Sequence, residues 1–468
     1  MIIILIKANK INKTTLKEPK MNKSEKYVAS KFNKVTHCHD GVVIVNTLYG
    51  TSAKFTNVKD IKKIEDGILC LEYYPDNDSK LSEYLKEKKF IVSVGTNEDA
   101  KVRMIKADYV LNNRLSITIM PTEQCNFRCK YCYESFEGKK MKKEVQDSII
   151  EFVRKNIMKF NSVDLSWYGG EPLLCKDIIE YISENIKRIC KAAKRPLTTS
   201  ITTNAYYLDL DTYKMLQKFN LVNVQVTIDG IKETHDKQRV LANGEGTYDV
   251  ILKNLLDIKN KTKSAVQKII IRTNVSKDIY DIMEQYIDHY DNLFGDDPRF
   301  TFLIRPVGDW GGDAVKDISD KLMNQDSFKM VYDKLIDSDK CLDMTFINGY
   351  LQPAGSVCYA ARRHFYLIRS NGDINKCTCV LDSDYNHIGR LLSDGTMDID
   401  EDKMAKWTGL PELKKCNNCS FMGSCLSDNC PMRKINETIP HLCGYEKQYL
   451  DETIILLDKC NYFEVYKH

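Results

Sequence analysis

The sequence has 468 residues, of which 43% are hydrophobic and 29% are charged. This length predicts two or three domains. The net charge of +4 is spread without long single-sign runs, which argues against nucleic acid as the main partner, and no segment approaches the roughly 18 apolar residues needed to span a membrane.

The first region of the chain resembles no targeting signal. The apolar run at residues 1–6 is shorter than the core of a signal peptide, and no small-residue cleavage site follows it. We therefore expect residues 1–20 to be disordered or to precede the native start, with Met21 as the candidate first residue. Residues 21–112 then predict a small α+β unit, with strands at 41–46, 52–55 and 90–94 and helices near 58–64 and 80–88.

Strand-like and helical stretches alternate through the central region, residues 113–307. This alternation indicates a parallel sheet with right-handed crossovers. Six such units predict an open (β/α)6 partial TIM barrel, followed by a linker with bridging helices at 308–357. The strands are expected at 115–120, 163–168, 198–203, 223–228, 268–275 and 300–306.

Three cysteines follow the first of these strands in one short loop: Cys125, Cys129 and Cys132. A cubane iron-sulfur cluster usually takes four protein thiolates, so three leave one iron open to another molecule. A loop after a barrel strand also lies at the face where such barrels carry their active sites. A zinc knuckle is the alternative, although structural zinc sites use four protein ligands.

The C-x3-C-x2-C spacing, with Tyr131 before the last cysteine, resembles the signature of the radical S-adenosylmethionine (SAM) enzymes. This resemblance implies that SAM chelates the open iron. The resemblance extends to a glycine-glycine-glutamate-proline motif after the second strand, which in the family holds the SAM ammonium. It also extends to polar residues after the third and fourth strands, which in the family contact the ribose and carboxylate of SAM. The implied SAM-binding residues are Tyr131, Gly169, Gly170, Glu171, Pro172, Thr203, Asn204, Asp229 and Arg239.

Three further polar residues lie near these motifs: His235 after the fourth strand, and Arg272 and Asn274 at the end of the fifth. We expect His235 to cap a turn and not to act as a base, and Arg272 and Asn274 suit a structural role as well as a cofactor contact. The sequence names no catalytic residue that handles protons.

Nine of the 17 cysteines lie from Cys358 onward. Spacings of this type suit metal ligation in a reducing, cytoplasmic and anaerobic setting better than disulfides. Residues 358–468 resemble the SPASM extension of radical SAM enzymes, which houses two auxiliary [4Fe-4S] clusters, with one departure: four residues instead of three precede Cys430. A zinc-ribbon interaction module is the alternative reading of this region.

The SPASM resemblance also implies the ligands. Cys416, Cys419, Cys425 and Cys443 would bind the second auxiliary cluster, and Cys358, Cys377 and Cys430 the first. Its fourth ligand is expected to be Cys341, with Cys379 as the alternative, unless an open iron faces the active site. The cysteines without motif partners are expected to be buried apolar thiols: Cys38, Cys70, Cys175, Cys190 and Cys460.

Together these resemblances imply a radical SAM peptide maturase that cross-links a ribosomally made peptide by a thioether or carbon-carbon bond. The N-terminal unit resembles winged-helix domains that bind a leader peptide, and the implied partners are that precursor peptide and a low-potential donor such as flavodoxin or ferredoxin. The alternatives are an anaerobic sulfatase-maturing enzyme, disfavoured because Thr378 and not aspartate follows Cys377, and a non-catalytic iron-sulfur carrier or scaffold.

Overall fold

The computed structural model describes residues 26–467 apart from 69–78, 137, 264–265, 310–313, 410 and 437–442. The expectations for residues 1–20, for Met21 and for Cys70 lie outside the described residues.

The N-terminal part is an α+β unit, as the sequence pattern predicts. Strands β2, β3 and β4 form an antiparallel sheet, and β1 pairs with β5. Ser79 and Asn97 begin the second and third helices because their side chains accept backbone N–H groups of the first turn. The elements are β1 Tyr27–Ala29, β2 Asn33–Cys38, β3 Gly41–Asn46, β4 Thr51–Phe55, α1 Val58–Ile68, α2 Lys80–Glu87, β5 Ile91–Ser93 and α3 Glu98–Leu111.

One edge of this three-stranded sheet is occupied by the chain itself. The Lys54 backbone accepts a hydrogen bond from Tyr466 N and donates one to Glu464 O, both at 2.9 Å, and the Lys54 ammonium lies 2.9 Å from Asp458. The β4 edge is therefore paired with C-terminal residues. Within the described part of the chain, β2 is the outer strand on the other side.

The central part contains the six predicted strands, which confirms the parallel α/β sheet. They lie in the order β13-β12-β10-β9-β8-β6, and all five pairings are parallel. The elements are β6 Arg114–Ile119, β7 Phe127–Cys129, α4 Lys143–Asn156, β8 Ser162–Trp167, α5 Lys176–Ala192, β9 Leu197–Thr203, α6 Leu210–Gln217, β10 Leu221–Thr227, α7 Lys232–Gln238, β11 Arg239–Leu241, α8 Tyr248–Lys261, β12 Lys268–Val275, α9 Lys277–Asp281, α10 Met283–Phe294 and β13 Phe300–Pro306.

Helix α5 shows why the crossover helices cover this sheet. Its isoleucines at 178, 179, 182 and 186 recur at helical spacing and are buried in the main core. Burial of each such side chain contributes roughly 1.5–3 kcal/mol. The packing fixes the strands, and hence the loops at their C-terminal ends.

The C-terminal part continues the same sheet. Strand β14 pairs in parallel with β6, and three antiparallel pairings then add β15, β16 and β17, giving ten strands. This connection has no sequence signal, and it satisfies the otherwise open edge of β6. The elements are α11 Gln325–Asp337, α12 Thr345–Gly349, β14 Phe365–Ile368, β15 Asp373–Asn375, β16 His387–Leu391, β17 Met397–Ile399, α13 Glu401–Thr408, α14 Met422–Cys425, α15 Met432–Ile435, α16 Tyr445–Gln448 and α17 Leu450–Lys459.

Short 3-10 helices join several of these elements, at Ile157–Lys159, Pro172–Cys175, Ala314–Lys321, Tyr359–Ala361 and Lys414–Cys416. No helix in the described ranges combines the length and the apolar character that crossing a membrane requires.

Candidate functional site

The loop of three cysteines follows β6 at the C-terminal end of the sheet. Its middle segment is strand β7, which pairs antiparallel with β11, so that Cys129 lies opposite Arg239. Outside this ladder, Lys130 N donates to Gln238 O at 3.0 Å and Ala242 N to Asn126 O at 2.9 Å. The thiol loop is therefore held in place by the segment that follows β10.

All three thiols of this loop are half-buried. Burial, and then the charges of the neighbouring cysteines and Glu171, raise the pKa of Cys125, and similar effects raise the pKa of Cys132 to about 12. The pKa of Cys129 is also raised by burial, although the Arg239 guanidinium opposes the shift. The cation opposite Cys129 thus favours its thiolate.

The donor set of this loop fits a three-thiolate cubane cluster. Among the described residues, no three His, Cys, Asp or Glu side chains are arranged to hold a single metal ion. The irons of a cubane occupy separate corners, so its thiolates need not converge on one point. Three thiols from one short loop match a cluster that keeps one iron open.

Gly169 and Gly170 pack against the backbone of the thiol loop. A Cβ built on Gly169, whose φ is +123°, would lie 2.4 Å from Thr122 O, and one on Gly170 would lie 2.4 Å from Gln124 O. Glu171 N also donates to Gln124 O at 2.9 Å. The two glycines therefore permit one loop to contact the other, and their implied part in SAM binding stays a prediction.

Glu171 is fully buried, and its carboxylate is bonded to the protein. One oxygen accepts from Leu173 N at 2.9 Å and Thr203 Oγ1 at 2.8 Å, and the other accepts from Asn204 N at 2.7 Å. Burial raises the pKa of Glu171 to about 6, against the lowering effect of these hydrogen bonds. Pro172 stands at the first position of the following 3-10 helix, where its missing N–H leaves no unsatisfied donor.

Asn204 connects the third strand to the thiol loop. Its Nδ2 donates to Asn126 Oδ1 at 2.9 Å and lies 3.8 Å from Cys125 Sγ. Thr203, in contrast, points its hydroxyl at Glu171. The structure thus brings Asn204 to the first thiol and uses Thr203 to orient the carboxylate.

Tyr131, Asp229 and Arg239 form one buried network beneath the thiol loop. The Tyr131 hydroxyl donates to Asp229 Oδ2 and accepts from Arg239 Nη1 at 2.7 Å and from Asn274 Nδ2 at 3.1 Å. Asn274 N also donates to Asp229 Oδ1 at 2.8 Å. Burial raises the pKa of Asp229, and the positive charge of Arg239 opposes this rise.

Arg239 keeps one donor unused within the described part of the chain. Its Nε is buried and makes no hydrogen bond, while the guanidinium lies beside Cys129. An unsatisfied cationic donor next to the thiols suits an anionic group of a bound cofactor, such as the SAM carboxylate.

His235 is a buried structural residue. Its Nδ1 accepts from Asp229 N at 3.2 Å, and Nε2 hydrogen-bonds the Thr247 hydroxyl, which in turn donates to Arg239 O at 2.6 Å. Burial lowers its pKa well below the usual value. This geometry agrees with the predicted turn-capping role.

The cysteines assigned to the second auxiliary cluster lie in one neighbourhood. Besides burial, the nearby thiols of Cys416 and Cys443 raise the pKa of Cys419. The nearby thiols of Cys416 and Cys419 likewise raise the pKa of Cys425. A turn also brings Cys419 N to Cys416 O at 3.1 Å. The four thiols Cys416, Cys419, Cys425 and Cys443 are therefore adjacent.

Cys358, Cys377, Cys379 and Cys430 form the other neighbourhood. Cys379 N lies 3.3 Å from Cys377 Sγ, and the charges of Cys430 and Cys379 act on Cys358. Burial and Cys430 raise the pKa of the Cys358 thiol to about 12. The structure thus adds Cys379 to the three cysteines predicted for the first auxiliary cluster.

The structure does not bring Cys341 to this group, which corrects its expected role as fourth ligand. Cys341 lies 3.5 Å from Lys459 O and shares a cavity with Cys460 and with residues 294–298, just before β13. Cys379, in contrast, lines a cavity with Glu123 and Tyr133 at the C-terminal end of the sheet. Because a seven-residue strand spans about 20 Å, Cys341 lies at the opposite end.

Of the cysteines without motif partners, Cys175 and Cys190 are buried as predicted, whereas Cys38 and Cys460 are only partly buried.

A cavity of about 280 Å³ lies between the thiol loop and the C-terminal cysteine array. Its walls are residues 133–136, directly after Cys132, and residues 379–383, together with Glu123 and Arg369. The Tyr133 hydroxyl on this wall hydrogen-bonds the Tyr168 hydroxyl at 2.5 Å. Burial, and then the charge of Glu123, raise the pKa of Glu134 to about 8.

Sequence patterns alone did not identify these cavity residues. In the sequence, Tyr133 and Glu134 are only neighbours of the cysteine motif. Arg369 lies more than 200 positions after Glu123, the residue that it contacts just before the thiol loop. The adjacency of Glu134 to Cys132 was the available signal.

The fold and this site define an α/β enzyme domain with a three-thiol cluster loop at the C-terminal end of a parallel sheet. Residues 119–285 match the Radical SAM superfamily. This part of the chain is therefore a radical SAM domain, a class that binds SAM and a [4Fe-4S] cluster, and the cysteine-rich C-terminal region fits the SPASM type.

Two curated relatives show how far the sequence likeness reaches. The Fe-coproporphyrin III synthase of Methanosarcina barkeri is 26% identical over 167 residues, covering 35% of this chain and 39% of that protein. The cysteine-type anaerobic sulfatase-maturating enzyme of Clostridium novyi is 28% identical over 207 residues, covering 42% of this chain and 53% of that protein. The chain thus spans about half the length of these relatives or less.

The solved structure of native anSMEcpe with bound AdoMet and the Cp18Cys peptide has a similar fold. The TM-score is 0.55 at 16% sequence identity, covering 75% of this chain and 99% of that one. Because 75% of this chain is more than residues 119–285, the structural likeness extends beyond the radical SAM domain.

Proposed function

We propose that this protein is a radical SAM enzyme that modifies a ribosomally made peptide, abstracting a hydrogen atom and forming a thioether or carbon-carbon cross-link. The observation that carries this proposal is the cavity between the thiol loop and the C-terminal cysteines. A substrate in this cavity would lie between the candidate SAM cluster and the candidate auxiliary clusters.

In this proposal Cys125, Cys129 and Cys132 hold the SAM-binding cluster. When bound, the cluster and SAM supply a 5′-deoxyadenosyl radical. Arg239 would orient the SAM carboxylate through its unused Nε, and Asn204 would position both Cys125 and the cofactor. Gly169, Gly170, Glu171 and Pro172 keep the adjacent loop in contact with the thiol loop.

The auxiliary clusters would be held by two sets of four thiolates. Cys416, Cys419, Cys425 and Cys443 form the set farther along the chain. Cys379 replaces Cys341 as the fourth member of the other set, with Cys358, Cys377 and Cys430. The proximity of Cys379 to Cys377 and its place on the cavity wall support this assignment.

The N-terminal unit would bind the leader of the precursor peptide. Because C-terminal residues occupy the β4 edge, β2 is the strand that remains for pairing with an extended leader. Electrons would come from a low-potential donor such as flavodoxin or ferredoxin. The many cysteines in metal-ligating spacings support a reducing, cytoplasmic setting.

Sulfatase maturation is the second candidate, favoured by the relative from Clostridium novyi. The residue after Cys377 argues against it. Enzymes of that type carry an aspartate there as a base, whereas Thr378 here hydrogen-bonds the Tyr359 hydroxyl at 2.8 Å. The observed pair offers no carboxylate at this position.

The test is anaerobic incubation of reconstituted enzyme with SAM, reductant and short cysteine-containing peptides encoded beside its gene. We expect 5′-deoxyadenosine and a peptide lighter by two hydrogens per modification, with fragment masses that locate the cross-link. Abundant 5′-deoxyadenosine with unchanged peptides would reject these substrates. Absence of SAM cleavage would reject the enzyme assignment in favour of an iron-sulfur carrier. Cys129→Ala is the matched variant, since it should abolish 5′-deoxyadenosine formation.

A further inference from the structure

The cavity beside the thiol loop carries more acidic groups than its single cation can compensate. Glu123, Glu134 and Asp382 lie on its walls together with one guanidinium, that of Arg369. Two of these carboxylates already bind that guanidinium: Arg369 Nη2 lies 2.5 Å from Glu123 Oε2, and Nη1 lies 2.8 Å from Asp382 Oδ1.

The hydrogen bonds of Arg369 go to partners other than Glu134. Besides Glu123 and Asp382, the guanidinium donates to the Leu381 carbonyl at 3.1 Å, and the Ser370 hydroxyl gives Glu123 a further hydrogen bond at 3.1 Å. Both oxygens of Glu123 therefore accept hydrogen bonds, and the guanidinium of Arg369 is bonded to Glu123, Asp382 and Leu381.

Glu134 keeps one carboxyl oxygen without a hydrogen-bond partner in the described part of the chain. Its Oε2 is closed to solvent and accepts no hydrogen bond. A buried carboxylate oxygen without a donor is unfavourable by roughly 1–3 kcal/mol or more, so a ligand that brings a donor would gain free energy here. The neighbouring hydroxyls of Tyr133 and Tyr168 are hydrogen-bonded to each other.

We propose that this cavity binds a cationic side chain, lysine or arginine, of the peptide substrate, with the Glu134 carboxylate as its acceptor. This inference rests on the proposed function for the peptide nature of the ligand. A long cationic side chain suits the site because it places an apolar stem along Val380 and Leu381 and a charged end at the carboxylates.

SAM is a competing occupant, since it also carries an ammonium. The test therefore measures binding with SAM already present. Isothermal titration calorimetry under anaerobic conditions compares two synthetic probes, acetyl-Gly-Gly-Lys-Gly-Gly-amide and its norleucine counterpart, on reconstituted enzyme saturated with SAM. The norleucine probe keeps the stem and lacks the charge.

We expect the wild-type protein to prefer the lysine probe by about tenfold or more, the range of a hydrogen bond to a buried charge. Glu134→Gln should reduce this preference to about twofold while leaving the norleucine probe unaffected. Asp382→Asn, at the exposed rim, should weaken the preference less, and it serves if Glu134→Gln fails to fold. Glu180→Gln, on the exposed face of α5, is the control and should keep the full preference.

Equal binding of both probes to the wild-type protein, a preference that survives Glu134→Gln and Asp382→Asn, or a preference that appears only without SAM would each overturn the inference. No turnover is needed for this measurement. Its failure is therefore distinct from a failure of peptide modification, which is read out by product mass.

Discussion

Gly170 is the position where one added methyl group should separate the thiol loop from the loop that supports it. The Cβ of an alanine would lie 2.4 Å from Gln124 O, 2.5 Å from Gln124 C and 2.8 Å from Glu123 O, all backbone atoms. This is about 1 Å closer than ordinary van der Waals contact at 3.4 Å. Backbone cannot rotate away as a side chain does, so Gln124 and the adjoining Cys125 must shift.

The magnitude follows from the steric overlap. Overpacking of this kind destabilises a protein by typically 1–3 kcal/mol, and we expect Gly170→Ala to lower the free energy of unfolding by about 3 kcal/mol. A shift of about 1 Å at a ligand also impairs cluster binding, because ligand positions tolerate only about 0.5 Å. The variant should lose up to about four irons per chain, the content of one cubane, and its reductive SAM cleavage should fall by at least about a hundredfold.

Iron and sulfide analysis after anaerobic reconstitution, urea unfolding and 5′-deoxyadenosine formation measure these effects. Gly95→Ala is the matched control: its φ is +90°, yet nothing lies within 4 Å of the added Cβ. This control should show only backbone strain, about 1–2 kcal/mol, with full iron content. Retention of wild-type iron and SAM cleavage by Gly170→Ala would refute the loop-contact argument.

Three further outcomes follow from the site. Cys379→Ala should lower iron content and change the electron paramagnetic resonance signal of the auxiliary clusters, whereas Cys341→Ala should leave both unchanged; the reverse result would restore Cys341 as a ligand. Arg239→Met should lower the free energy of unfolding by about 1–3 kcal/mol, because it removes a hydrogen bond to the buried Tyr131 hydroxyl and the cation near Asp229; no measurable loss in urea titrations would contradict this. The raised pKa of Glu171, about 6 against 4.5, means that the folded state binds the proton more tightly. The stability of the wild type relative to Glu171→Gln should therefore fall by about 2 kcal/mol in total as pH rises from about 3.5 to about 7, with more than half of the loss between 4.5 and 6, and a flat difference across this window would exclude the assignment.

The sequence by itself determined the elements and the thiol loop. The six parallel strands coincide with the predicted ranges to within two residues, since alternation of apolar runs and helical periodicity is a local property. The position of Cys125, Cys129 and Cys132 after a strand was equally local. Two of the three N-terminal helices were also predicted, near 58–64 and 80–88, whereas α3, Glu98–Leu111, was not.

Tertiary structure decided what depends on partners far apart in the chain. The sequence favours Cys341 over Cys379 as the fourth ligand, yet the fold places them at opposite ends of the sheet. The resemblance implies that Gly169 and Gly170 bind SAM, and only the fold shows that they also face backbone carbonyls of a loop some 45 positions earlier. These contacts depend on how the strands are ordered and how the loops meet, and local periodicity carries no information about either.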